Sequence, residues 1–223
     1  MEWATDVINR DIKTLADLPF HIAERLPHRA LLRHCRGDRV IEISGKEFLE
    51  QIRNVSVGLR ELGVATGDRV AVIAESRPEW CITDLAVLAA GGITVPVYPT
   101  LTSGQVRYIL NDCGATVAIV SNRMQVDKIA TVLPHLVDLA KVVVMDADGR
   151  AWPDSVTTLP EVAARGRTRL ISDAAAGHLF EKRAAAILPD TLATIIYTSG
   201  TTGEPNGRDV DAWEHLVQCR GGR

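Results

Sequence analysis

Arg69-Val70-Ala71-Val72-Ile73-Ala74, then Pro78 to Ala90, then Ile93-Thr94-Val95-Pro96-Val97-Tyr98 is the stretch on which the fold turns. Its first and last pieces are short, continuously apolar and rich in valine and isoleucine, as strands buried on both faces are. The piece between them is too long for a strand and opens on Pro78, which a helix tolerates in its first turn because the missing N–H has no partner there. The same alternation continues with a helix over Ser103 to Asp112, a strand over Thr116 to Val120, a helix over Met124 to Leu133 and a strand over Lys141 to Met145. Gly114 stands where a helix stop is wanted. A run of βα units predicts an α/β fold: a parallel sheet with flanking helices.

Outward from this run the signals are local and mutually consistent. Upstream, Leu15, Leu18, Ile22 and Leu26 can share one face of a helix over Thr14 to Leu26, which Pro27 ends. Ala30 to His34 and Val40 to Ile43 read as two short strands joined by a turn at Arg36-Gly37-Asp38-Arg39. Ser44 and Glu47 have capping-box spacing and open a helix to about Leu62, before Gly63. Downstream, Asp146 to Pro160 is a polar connection, with helices expected at Leu159 to Arg165 and Ala174 to Leu188.

Composition narrows the function classes. With 46% hydrophobic and 24% charged residues among 223, the chain suits a globular protein. A net charge of -3 supplies no electrostatic excess for nucleic acid or an anionic membrane, so small-molecule chemistry is the expectation, without nucleic acid. Cys35, Cys81, Cys113 and Cys219 lack CxxC spacing, and the six histidines show no paired spacing, so no metal site is indicated. The opening Met1-Glu2-Trp3-Ala4-Thr5-Asp6 has neither a basic nor an apolar segment, and the most apolar stretch, Leu85 to Tyr98, is too short to span a bilayer. A cytoplasmic location without a transmembrane segment is expected.

The chemistry concentrates in Leu192-Ala193-Thr194-Ile195-Ile196-Tyr197 followed by Thr198-Ser199-Gly200-Thr201-Thr202-Gly203-Glu204-Pro205-Asn206-Gly207. A buried strand runs into a loop of hydroxyls and glycines. Gly200 and Gly203 permit positive φ and close approach, while amides and the hydroxyls of Thr198, Ser199, Thr201 and Thr202 can surround an anion with donors. The Gly-x-x-x-x-Gly-Lys-Ser/Thr spacing of a Walker loop is absent, and Ser199 lacks the Gly-x-Ser-x-Gly context of a hydrolase nucleophile.

From Tyr197 to Pro205 this stretch resembles the phosphate-binding signature of the adenylate-forming superfamily of acyl-CoA synthetases, luciferases and peptide-synthetase adenylation domains. Ser76-Arg77-Pro78-Glu79-Trp80, Asp84-Leu85-Ala86, Gly91-Gly92 and Pro96-Val97-Tyr98-Pro99-Thr100 resemble the corresponding run of long-chain fatty-acid CoA ligases. Gln105 to Leu110, Asp112 and Gly114-Ala115 are similar to the helix and turn that follow in that family. As single residues these have ordinary structural readings: Pro78 and Glu79 suit any first helical turn, and Trp80 is expected in the core. The resemblance covers about residues 15 to 207.

It implies activation of a carboxylate by ATP and Mg2+ to an acyl-adenylate, then transfer to the thiol of coenzyme A. Thr198, Ser199, Gly200, Thr201, Thr202 and Gly203 would hold the β- and γ-phosphates and stabilise the leaving pyrophosphate. No catalytic or metal-binding residue is assigned, because the family's adenine pocket, ribose-binding aspartate, magnesium-linked glutamate and catalytic lysine all lie further on. The implied organisation is a first α/β subdomain over 1–190, the start of a second subdomain with the loop over 191–207, and a divergent tail over 208–223. Leu192 to Thr198 would begin a second sheet whose partners are absent, leaving an apolar edge prone to association.

The loop departs from the family at Asn206, where the family has lysine, and the resemblance stops after Gly207. An asparagine codon followed by a glycine codon becomes a lysine codon when its third base is deleted. In that shifted frame the codons for Gly207 to His215 can read Gly-Val-Met-Leu-Thr-His-Gly-Asn, the family's usual continuation, with the glycine arising from Trp213 forced by the code. A one-base insertion at codon 206 and an out-of-frame tail is therefore the expectation. The functional expectation is a fragment of a long-chain fatty-acid CoA ligase, inactive alone and with weak or absent ATP and CoA binding. The alternatives are an adenylate-forming ligase for an aryl or amino acid, and a non-catalytic interaction module.

Overall fold

The computed structural model describes residues 12–36, 39–149, 151–199 and 205–211. A 3-10 turn at Leu15–Asp17 leads into helix α1 (Leu18–Arg25), then strands β1 (Ala30–Arg36) and β2 (Arg39–Ser44), which pair antiparallel as a separate two-stranded sheet. Helix α2 (Gly45–Glu61) starts on the expected capping box: the Glu47 amide donates to Ser44 Oγ at 3.3 Å and the Ser44 amide to Glu47 Oε2 at 2.8 Å. Gly63, just past its end, takes φ 104°, the left-handed stop that glycine adopts without a Cβ penalty.

The βα run follows as β3 (Arg69–Ile73), α3 (Pro78–Ala89), β4 (Ile93–Val97), α4 (Ser103–Asp112), β5 (Ala115–Val120), α5 (Arg123–Val132) and β6 (Lys141–Val144). The chain continues with β7 (Val156–Thr158), α6 (Leu159–Ser172), α7 (Ala174–Ala185), β8 (Leu192–Ser199) and β9 (Pro205–Asp211). The main sheet has seven strands in the order β7-β6-β5-β3-β4-β8-β9, parallel throughout except for β9. Helices cover both faces. One apolar cluster joins the sheet to α1, α2, α3, α6 and α7 through residues such as Ile52, Leu59, Val87, Val162 and Phe180; the other joins it to α4 and α5 through Val106, Ile109 and Ile129.

Three features differ from the sequence expectation. Helix α6 runs to Ser172 instead of ending at Arg165, because Gly166 is a contact point and not a stop: a Cβ there would lie 1.9 Å from the Asn54 carbonyl oxygen of α2. Its counterpart Gly58 would place a Cβ 2.0 Å from the Val162 carbonyl, so the two helices cross backbone against backbone. Second, the connection after β6 contains β7, which extends the parallel sheet through pairs such as Val143 with Thr157. Third, β8 does not open a sheet of its own in this chain. It lies beside β4 in the first sheet, joined to it through Thr94 and Thr194, with β9 paired along its other side.

Candidate functional site: the carboxyl edge of the sheet and the loop after β8

From the end of β3 the chain departs into α3 on one face of the sheet, and from the end of the neighbouring β4 into α4 on the other. Ligands of open α/β sheets settle in the crevice outside the carboxyl ends of strands at such a switch. A cavity of about 420 Å³ occupies this place, with walls from Ala74–Arg77 after β3, Trp80 and Cys81 of α3, Pro96–Pro99 at the end of β4, and Ile196 and Tyr197 of β8. The lining is mainly apolar and aromatic. Trp80, expected in the core, packs against the first cluster and also forms part of this wall, and Tyr98 at the rim is 73% exposed. Partial desolvation against the cavity wall raises the Cys81 thiol above its ordinary value although the residue is exposed, which keeps it protonated and a poor nucleophile.

Pro96 interrupts the ladder beside the cavity. The Thr94 carbonyl faces β8, since it accepts from Thr194 Oγ1 at 2.7 Å, and Pro96, two residues on, presents its missing N–H to the same side. The next hydrogen bond of the parallel ladder is therefore missing. Among the described residues, Thr94 with Thr194 is the single register pair between β4 and β8.

Arg77 is the cationic group of the wall, and it is committed to structure. Its Nε donates to Glu79 Oε2 at 2.9 Å, while Nη2 and Nη1 donate to Asp146 Oδ1 and Oδ2 at 2.8 and 3.2 Å. These hydrogen bonds, to Glu79 first and then Asp146, hold the guanidinium well above its ordinary value. For Glu79, burial opposes ionisation, but the Arg77 hydrogen bond prevails and keeps the carboxyl below the usual range. Across the rim, Gln125 Nε2 and Lys128 Nζ both donate to the Pro99 carbonyl, at 3.2 and 2.6 Å, and fix the turn after β4.

The loop predicted to hold phosphate begins at the end of β8. Thr198 is exposed, and Ser199 ends the strand opposite Pro205. Gly200, Thr201, Thr202 and Gly203 lie outside the described residues. Asn206, standing where the resembled family has lysine, is the register partner of Thr198 across β8 and β9. Below it, Tyr197 is buried and donates its hydroxyl to Asp112 Oδ2 at 2.6 Å; burial and that hydrogen bond both push the phenol's pKa up, so it remains a donor at any physiological pH. Sequence reasoning missed this contact, because Asp112 is 85 residues away. A magnesium ion has no ready holder in the described part: no group of three or more His, Cys, Asp or Glu converges there, and Glu75 is the one acid in the cavity wall.

Comparison with known proteins bears on this arrangement of loop and cavity. The family model for AMP-binding enzymes matches residues 20–208. The chain belongs to the AMP-binding enzyme family. The match ends within β9, one residue after the sequence resemblance stops. Long-chain-fatty-acid–CoA ligase FadD15 of Mycobacterium bovis is 34% identical over 182 residues, which is 82% of this chain and 28% of that protein. This chain thus spans little more than a quarter of that relative's length. Among solved structures, a long-chain-fatty-acid–CoA ligase (FadD1) from Archaeoglobus fulgidus superposes with a TM-score of 0.70 at 21% identity, covering 89% of this chain and 36% of that one. The anthranilate–CoA ligase AuaEII, solved with anthranoyl-AMP, gives a TM-score of 0.69 at 20% identity, covering 93% and 36%. At these identities the structural likeness shows the fold: an α/β sheet of the adenylate-forming enzymes. No helix among the described residues is long and apolar enough to cross a membrane.

Proposed function

We propose that this chain is the N-terminal part of an ATP-dependent long-chain fatty-acid–CoA ligase, carrying the phosphate-binding loop Thr198 to Gly203 without enough of the active site to adenylate a substrate. The observation that supports it most is the 34% identity to a ligase of that name combined with an intact loop sequence at the end of β8. In the whole enzyme the loop's amides and hydroxyls would hold the β- and γ-phosphates of ATP and stabilise pyrophosphate as it leaves. A few phosphate contacts of this kind, each worth about 1 kcal/mol or less where water competes, give a Kd of roughly millimolar or weaker. Asn206 contributes no charge to offset the phosphates, and Arg77 is held by two carboxylates.

On this reading residues 1–190 form the first subdomain, 191–207 begin the second, and 208–223 are translated out of frame from codon 206. ATP, Mg2+ and coenzyme A belong to the whole enzyme, which works in the cytoplasm without nucleic acid. The gene tests the reading. Removal of one base at codon 206 should open a frame encoding several hundred further residues, and its product should form long-chain acyl-CoA from ATP, fatty acid and coenzyme A. A gene in which no single-base change restores such a frame contradicts the out-of-frame tail. A restored product that activates only aryl or amino acids contradicts the substrate class.

A further inference from the structure

We propose that the seam between α2 and α7 is an anion site, built by Arg53, Ser56, Arg60 and Arg183, for a phosphate group taken free or as a small phosphomonoester. It shares no residue with the loop after β8 or with the cavity at the carboxyl edge of the sheet. Ser56 and Arg60 follow Arg53 by three and seven residues, a spacing that sets all three on one face of α2. That face meets α7. A Cβ on Gly177 would collide with Arg53 Nη2, and Arg53 Cζ stands 6.0 Å from the centre of the Phe180 ring.

Each of the three residues carries a buried polar atom without a hydrogen-bond partner among the described residues: Arg53 Nε, Ser56 Oγ and Arg60 Nη1. Ser56 as a whole is 1% exposed. A buried donor without an acceptor has lost its hydration for nothing, the more so when it is charged, so three on one helix face point to a missing acceptor. The surroundings give that acceptor its sign. Arg183 of α7 is held below its ordinary value, by burial first and then by the charge of Arg60. Glu181, the acid paired with Arg53, lies 3.9 Å from Nη2, too far for a hydrogen bond, and its side chain is half exposed.

Three guanidiniums less one carboxylate leave two positive charges, which suits a phosphate dianion better than a carboxylate. Guanidinium forks and a hydroxyl together match the several acceptor oxygens of a tetrahedral oxyanion. Arg60 and Arg183 also stand in the last turns of their helices, where the dipole favours a cation. The dipole accounts for their charge but not for the unfilled donors of Arg53 and Ser56, which lie further back along α2. With its side chain 38% exposed, Arg53 lets an anion reach the seam from solvent.

The whole chain, labelled with 15N-arginine, is titrated with inorganic phosphate and separately with glycerol 3-phosphate, ionic strength being held constant with chloride. Saturable displacement of the Nε–H signals of Arg53, Arg60 and Arg183 is expected. Arg60→Gln should weaken binding about tenfold or more, the scale of one charged hydrogen bond, and Ser56→Ala about threefold. Arg60→Lys keeps the charge without the planar donors and should fall between wild type and Arg60→Gln. Stability supplies a second readout. Without phosphate, Arg183→Gln relieves the repulsion and should unfold at a urea midpoint equal to or above that of wild type; at saturating phosphate wild type should overtake it. An arginine with a merely structural role would keep the same order in both conditions.

Arginine signals that respond to phosphate no more than to chloride would overturn the site, as would coincident titration curves for wild type and Arg60→Gln. Tighter binding of glycerol 3-phosphate supports the site with an organic phosphate as its ligand, and equal or tighter binding of inorganic phosphate supports it with the free ion.

Discussion

Replacing Gly166 by alanine tests the packing that holds the first apolar cluster together. By intrinsic preference alone the change should help, since alanine in a helix interior is favoured over glycine by about 1 kcal/mol. The structure predicts the opposite. The new Cβ would stand 1.9 Å from the Asn54 carbonyl oxygen and 2.6 Å from the Gly58 nitrogen, both main-chain atoms that no rotamer change can move. Restoring ordinary contact requires α2 and α6 to part by about 1.5 Å, which loosens the packing of Val162 and Leu159 against α2 at an overpacking cost of about 1 to 3 kcal/mol or more. After the propensity gain is offset, a net loss of about 2 kcal/mol is expected, read as a lower midpoint in urea at unchanged slope. Gly104→Ala on α4 is the control, because nothing lies within 4 Å of its Cβ position; it should be neutral or stabilising by up to about 1 kcal/mol. A Gly166→Ala protein as stable as wild type, beside a well-behaved control, would refute the close crossing.

Other perturbations follow from single contacts. Arg77→Gln should cost about 1 to 2 kcal/mol at pH 7, less than a fully buried pair because the side chains keep part of their exposure. Glu79 is depressed in the folded state below its ordinary 4.5, so its contribution is present above that value and lost as pH falls through the folded one; the gap between wild type and Arg77→Gln in urea should shrink toward pH 3. Thr158→Ala removes the hydroxyl that accepts from the Glu161 amide at the start of α6 and should cost about 1 kcal/mol of unfolding free energy. Val210 is 1% exposed on β9, and Val210→Asp should detach that strand, uncover the outer edge of β8 and produce concentration-dependent association in light scattering.

Much of the sheet was legible because its signals are local. Valine and isoleucine runs mark strands buried on both faces, and the Ser44 and Glu47 pair, three residues apart, carries its whole meaning within one turn. The order of hydroxyls and glycines after β8 is what points to a phosphate loop, and of its residues the structure describes Thr198 and Ser199. Gly166 was not, since a glycine that ends a helix and one that lets another helix approach look alike until the partner is in place. The interrupted ladder beside the cavity depends on Pro96 meeting β8, an element about a hundred residues later, and a proline in a strand does not say which neighbour it fails. Arg77 with Asp146 and Tyr197 with Asp112 are separated by 69 and 85 residues, and no periodicity links them. The antiparallel β9 escaped notice because its residues are polar and charged, with Pro205 first, as suits an edge strand.

The central claim, that this chain carries the phosphate loop of a fatty-acid–CoA ligase without a working adenylation site, is tested most directly by pyrophosphate exchange. The purified chain is incubated with ATP, Mg2+, a long-chain fatty acid and labelled pyrophosphate, and label entering ATP is counted. The account predicts no incorporation that depends on fatty acid. Incorporation that rises with fatty acid and saturates would show a complete adenylation site within these 223 residues and contradict the account.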